Sequence, residues 1–176
     1  MKKRIIYGIG STSSSIVSAF KALNNQPFND ATIYRIWDVD AATRNIANLN
    51  PDEEIKIFTE TNIRETIRAI KNDRHNNEEI YSELEDVFPM NDDQLINEIP
   101  ITNAQGAAKK PIISRLISQI YLDKIKKFVD TDCTDVHQRP IEAYVILSTC
   151  GGTSTGLNVE IIAELLRNNC TLYLFF

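Results

Sequence analysis

The stretch from Ala143 to Arg167 constrains the fold more than any other part of the chain. It passes from an unbroken apolar run, Ala143 to Leu147, through a turn of glycine and hydroxyl residues into a helical pattern. The turn reads Ser148-Thr149-Cys150-Gly151-Gly152-Thr153-Ser154-Thr155-Gly156. The helix after it has Val159, Ile162, Ala163 and Leu166 as its expected apolar stripe. A strand that is apolar on both faces needs cover on both sides, which a parallel sheet flanked by helices supplies. The turn also aims backbone N–H groups and the positive end of a helix dipole at one point, an arrangement that suits a phosphate.

The chain opens with a second unit of the same kind. Arg4-Ile5-Ile6-Tyr7 reads as a strand and Gly8-Ile9-Gly10-Ser11-Thr12-Ser13-Ser14 as a turn, with Ile16, Val17, Phe20 and Leu23 as the buried stripe of a helix. Thr32 to Trp37 is a further strand ending at Asp38-Val39-Asp40, and Asp40 is placed to cap a short helix running to Leu49. Glu54 to Phe58 reads as a third strand, and Ile63, Ile67 and Ile70 as a helix. Residues 71–79 read as a solvated connection, followed by a helix marked by Ile80, Leu84, Val87 and Phe88. The signal is weak from Met90 to Ala108. Beyond Pro111 one long helix is expected through Ile113, Leu116, Ile117, Ile120 and Phe128. Thr171 to Phe176 has the composition of an interior strand.

This alternation predicts an α/β, Rossmann-like three-layer fold, with a mostly parallel sheet and helices on both faces. Right-handed crossovers would bring the turns at Gly8, Asp38 and Gly151 to one edge of the sheet. The length of 176 residues fits one domain, 1–176, and an apolar strand with no helix after it suggests that this domain is incomplete. A net charge of −5 argues against a nucleic-acid surface, and no apolar run nears the roughly 20 residues that would insert in a membrane. Acidity does not exclude nucleotides, since amides and a bound metal can neutralise phosphate. The three widely spaced cysteines suggest neither a disulfide framework nor zinc, so a cytoplasmic location is expected.

The second turn resembles the signature loop of the tubulin and FtsZ superfamily of GTPases, small-Gly-Gly-Thr-Gly-Ser/Thr-Gly, in the form Cys150-Gly151-Gly152-Thr153-Ser154-Thr155-Gly156. The first, Gly8-Ile9-Gly10-Ser11-Thr12-Ser13, is similar to the other phosphate loop of that family, closest to the form in bacterial tubulin-like proteins. Asn103 to Pro111, with Gln105, Gly106 and Ala107, resembles the loop that senses the terminal phosphate. Asp38 and Asp40 stand where the family often has an acidic pair near magnesium.

The resemblance implies GTP or GDP with Mg2+ as ligands, held by Gly8, Gly10, Ser11, Thr12, Ser13, Asp38, Asp40, Gln105, Gly106, Ala107, Gly151, Gly152, Thr153, Ser154, Thr155 and Gly156. It also implies head-to-tail self-association into filaments, with hydrolysis completed at the junction by an acidic loop of the neighbouring protomer. That loop and a second domain would follow Phe176, so the chain alone is expected to bind nucleotide without efficient hydrolysis and to hold no catalytic residue. Ser11, Ser13 and Ser154 stand where the family has glycine. A serine in a position of positive φ would cost about 1 kcal/mol or more.

Two other functions compete. Gly8-x-Gly10-x-x-Ser13 with Asp38 imitates the fingerprint of an NAD(P)-binding oxidoreductase, without its third glycine. A non-hydrolysing scaffold of the same fold is the other. No Gly-Lys-Ser/Thr follows any glycine turn, which disfavours a Walker-type ATPase. Lys109 and Lys110 read as a solvated helix-start pair, His75 and His137 as surface residues, and Trp37 as core.

Overall fold

The computed structural model describes residues 2–23, 32–38, 48–57, 63–99, 110–135, 137–148 and 152–176. In chain order these form β1 (Lys3–Ile9), α1 (Ser11–Leu23), β2 (Thr32–Asp38), a single 3-10 turn (Pro51–Glu53) and β3 (Glu54–Lys56). There follow α2 (Ile63–Asn72), α3 (Glu78–Glu85), α4 (Asp93–Glu98), α5 (Pro111–Ile120) and α6 (Leu122–Cys133). The last elements are β4 (Ile141–Ile146), α7 (Gly152–Arg167) and β5 (Thr171–Phe175).

All strand pairs are parallel, in the order β3-β2-β1-β4-β5. The chain therefore winds outward from β1 in one direction and from β4 in the other. The boundary between β1 and β4 is the switch point at which open α/β sheets leave a crevice beyond the strand ends. This is the three-layer, Rossmann-like α/β architecture that the alternation predicts.

Alternate strand residues feed two separate cores. Ile5, Tyr7, Ile9, Trp37, Ala143 and Val145 join the main core with residues of α2 to α7. Ile6 and Ile36 face the other way and meet Val17 of α1. Trp37 is fully buried, edge-on to Tyr7 (centroids 5.4 Å apart) and to Phe128 (6.1 Å). Under it a polar knot ties α6 to the sheet. The Tyr7 hydroxyl donates to Asp132 Oδ2 at 2.8 Å, and Arg35 makes a forked contact with the same carboxylate, its Nη2 2.7 Å from Oδ1.

Several expectations about faces are corrected. In α1, Val17 alone of the expected stripe is buried. Ile16 and Phe20 are about half exposed and Leu23 more so, while Ser13, Ser14 and Ser18 face inward. The reason lies opposite, at Gly8: a Cβ there would meet Val17 Cγ2 at 2.8 Å and the Ser13 carbonyl oxygen at 3.0 Å. A helix that close to a strand has room for Val17 and serines but not for larger side chains such as Phe20. In α7 the buried stripe is Leu157, Ile161 and Leu165, and Val159 and Leu166 are exposed. The expected long helix is two, α5 and α6, broken at Tyr121, whose φ and ψ of −107° and 21° leave the helical region. A short α4 stands in the stretch of weak signal, capped by the Asp92 carboxylate accepting from the Leu95 amide at 3.0 Å. In α3, Tyr81 is buried and Ile80 half exposed.

β5 lies at the sheet edge rather than inside it, with Tyr173, Leu174 and Phe175 40–51% exposed. Beside it, on the α1 face, runs an apolar groove of about 460 Å³ lined by Ile6, Ile16, Phe20, Tyr144, Phe175 and others. Tyr144 stacks on Tyr173 at its border, ring centroids 4.8 Å apart. Among the described residues no helix is long and apolar enough to cross a membrane.

Candidate functional site

The turn after β1 is short because one residue makes it. Gly10 has φ of +83°, a left-handed conformation that glycine adopts freely and other residues resist. Its N–H donates to the Trp37 carbonyl at 2.8 Å, which extends the β1–β2 ladder by one rung. Its own carbonyl then accepts from the Ser14 amide at 3.2 Å and the Ser14 hydroxyl at 2.9 Å, which starts α1. The first-turn amides of a helix have no partner within it, so those of Ser11, Thr12 and Ser13 point out of α1 at this rim. Thr12 is exposed. Ser13 is 1% exposed, and its hydroxyl has no hydrogen-bond partner among the described residues.

The turn after β4 reaches the same place. Ser154, in the first turn of α7, is 1% exposed, and its hydroxyl accepts from the Ser148 amide at 3.0 Å, tying the helix back to the strand end. The Thr153 carbonyl accepts from the Ser114 hydroxyl of α5 at 3.0 Å. Thr153 Oγ1 lies 3.5 Å from Oδ1 of Asp38, at the end of β2. A Cβ placed on Gly10 would stand 3.6 Å from the Thr153 Cβ and the Ser154 nitrogen. The ends of β1, β2 and β4 thus meet at one rim, with the first turns of α1 and α7 side by side.

Electrostatically the rim is mixed. The two helix starts favour an anion. Asp38, 5% exposed, supplies a carboxylate that would oppose one unless a cation lay between. Lys110, at the N-cap of α5, forms an ion pair with Glu98. Among the described residues no group of three or more His, Cys, Asp or Glu stands together as a metal site.

The glycines have different tasks. Gly10 alone of the described ones has positive φ. Gly8 admits α1, as described above. Gly156 admits α5: a Cβ there would lie 2.5 Å from the Arg115 nitrogen and closer still to the Ser114 side chain. The close approach at Gly8 and Gly156 is therefore of protein to protein. Ser11, Ser13 and Ser154 all stand in helical backbone, so the penalty foreseen for serine at positive φ does not arise. Gly152 opens α7. Thr155 is exposed.

Asp40, Gln105, Gly106, Ala107 and Gly151 lie outside the described residues, as do Cys150 and Lys109. His75 and His137 are exposed, as the sequence suggests. Ser114 of α5 escaped sequence reasoning: it braces the rim by donating to the Thr153 carbonyl, and a lone serine within a helical stripe carries no pattern that would reveal it. Ser14 and Ser148 fall inside the two turns already read, without having been named as site residues. Comparison of the chain with protein-family models, with curated proteins and with solved structures gives no match in any of the three.

Proposed function

We propose that the rim formed by the turns after β1 and β4 binds the phosphates of a guanine nucleotide, and that the protein is a tubulin-like GTP-binding protein that associates head to tail. The observation that carries this reading is the meeting of Gly10 with Thr153 and Ser154, 3.6–3.8 Å from where a Cβ would stand. Two helix N-termini and two runs of small hydroxyl residues then address one point, which suits a polyphosphate. The residues fit such a group. Gly10 leaves the backbone bare, Thr12 and Thr155 are exposed residues, and the buried Ser13 hydroxyl has no described partner. Asp38 is the described carboxylate that would help to hold magnesium at this rim. The preference for guanine and the head-to-tail association rest on the resemblance of the two loops, as do the roles of Asp40, Gln105, Gly106, Ala107 and Gly151. Magnesium would neutralise phosphate charge, while hydrolysis would await groups brought by a neighbouring protomer.

A second reading has one observation in its favour. Asp38 ends β2 beside the Gly8-x-Gly10 turn, where dinucleotide-binding folds hold a ribose. Against it, the carboxylate is nearly buried and lies beside Thr153.

Thermal melting separates the readings. GTP with magnesium at a hundredfold excess over its Kd would add about 2.7 kcal/mol, a rise of several degrees, with no response to ATP or NAD. Gly10→Val would abolish that response. Stabilisation by NAD alone would replace the proposal with the second reading. Indifference to all three would leave a non-hydrolysing scaffold. Sedimentation with GTP tests the association.

A further inference from the structure

We propose that Cys133 and Cys170 form an oxidative modification site, a thiol pair that closes to an intramolecular disulfide between the end of α6 and the turn leading into β5. The two sulfurs lie 3.5 Å apart, and the residues are 8% and 6% exposed. A disulfide holds its sulfurs about 2 Å apart, so the pair has about 1.5 Å left to close.

The backbones on either side are already fixed. Cys133 is the last residue of α6, and the carbonyl of the next residue, Thr134, accepts from the Lys3 ammonium at 2.6 Å. Cys170 follows Asn169, whose φ of +57° makes it the left-handed cap of α7. The Cys170 amide donates to the Leu165 carbonyl at 3.0 Å and the Asn169 amide to that of Leu166 at 2.9 Å, the pair of bonds that closes a Schellman turn. The Asn168 side-chain amide then donates to Asp130 of α6 at 2.8 Å, joining the two helix ends one turn away from the sulfurs. Closure therefore calls on the side chains rather than on separated backbones.

The environment divides the two sulfurs between two roles. The two sulfurs share a hydrogen bond in which either can donate, and the Lys3 ammonium lies near. Together they favour thiolate at Cys170 against the effect of burial. Cys133 is held protonated by that same bond and by burial. Cys170 is thus the attacking sulfur and Cys133 the resolving one. With hydrogen peroxide as oxidant, the Cys170 thiolate attacks one oxygen and the O–O bond breaks. Sulfenic acid forms on Cys170, and the departing hydroxide takes up the proton that Cys170 released and becomes water. The Cys133 sulfur then attacks the sulfenic sulfur; the S–S bond forms, the S–O bond breaks, and a second water leaves with the Cys133 proton. Two thiols have lost two electrons to peroxide.

This site stands at the opposite edge of the sheet from Gly10, since Thr171 pairs with Glu142 at the start of β4. It is independent of the nucleotide reading and is tested without any nucleotide. The full chain is treated with a small excess of hydrogen peroxide, alkylated under denaturing conditions and digested after glutamate. Cleavage at Glu142, Glu160 and Glu164 separates all three cysteines. The expected result is a Cys133–Cys170 cross-link, lighter by two hydrogen atoms, with Cys150 still alkylated. The melting temperature rises by roughly 5–10 °C and returns on reduction. Cys133→Ser should remove the cross-link and leave Cys170 as sulfenic acid, trapped by a dimedone-type reagent. Linkage through Cys150 instead, oxidation without a cross-link, or two thiols that remain fully alkylated would each overturn the proposal.

Discussion

The sheet face that carries α5, α6 and α7 buries Tyr7, Trp37, Tyr81 and Phe88, with isoleucines from five of its helices around them. The opposite face buries Ile6, Val17 and Ile36, and leaves Ile16 and Phe20 half exposed beside an apolar groove. Both faces rely on a glycine at a close contact, but with different neighbours. Gly156 is hemmed in by the Ser114 side chain and the Arg115 backbone, on a helix that is itself backed by the main core. Gly8 meets Val17 and the Ser13 backbone on a helix whose Ile16 and Phe20 are about half exposed among the described residues. The same sequence device thus stands on a rigid wall on one face and on a yielding one on the other.

Four single substitutions, one of them also combined with a second change, test that contrast, from the strongest expected effect to the weakest. Asp132→Ala removes the acceptor shared by Tyr7 and Arg35 under the closed face and leaves a guanidinium that is 19% exposed without its partner. It should cost about 3 kcal/mol or more, read as a fall in the urea midpoint. Gly156→Ala should cost about 2–3 kcal/mol by overpacking, and adding Ser114→Gly should recover only part, because the Arg115 nitrogen remains in the way. Gly8→Ala should cost about 1 kcal/mol, since α1 can shift outward. Equal losses at positions 8 and 156 would break the comparison.

The smallest effect concerns pH. Glu142, on the α1 face with Tyr144, has its carboxyl held below the usual value of 4.5, first by the hydrogen bond from Lys2. A group depressed in the folded state contributes stability above its unfolded pKa and loses it as pH falls through the folded one. Glu142→Gln should therefore flatten the loss of stability as pH falls below the ordinary carboxyl value of 4.5 and change little at pH 7. Asp135, depressed by the hydrogen bond from Arg139, adds to the acid loss in the same direction and would remain in that variant.

The strands and their parallel order were legible because apolar runs such as Ile5 to Tyr7 and Ala143 to Leu147 stand next to turn residues. The convergence at the rim followed from the topology. What misled was the assumption that large apolar residues mark a helix's buried side. In α1 that side is chosen by Gly8 and takes serines. In α7, apolar residues occur on several sides, and Leu157, Ile161 and Leu165 win because they meet the main core. The break at Tyr121 carries no glycine or proline to announce it. The glycines were read together as ligand contacts, yet their separate tasks depend on neighbours far away in sequence, Ser114 above all.

Trp37 is the chain's single tryptophan, and its carbonyl accepts the N–H of Gly10. Its indole, enclosed by Tyr7 and Phe128, should fluoresce at short wavelength, and that emission should move to the red when the core opens. The protein thus carries an intrinsic optical reporter one residue from Asp38, able to follow both unfolding and events at the strand ends without a label.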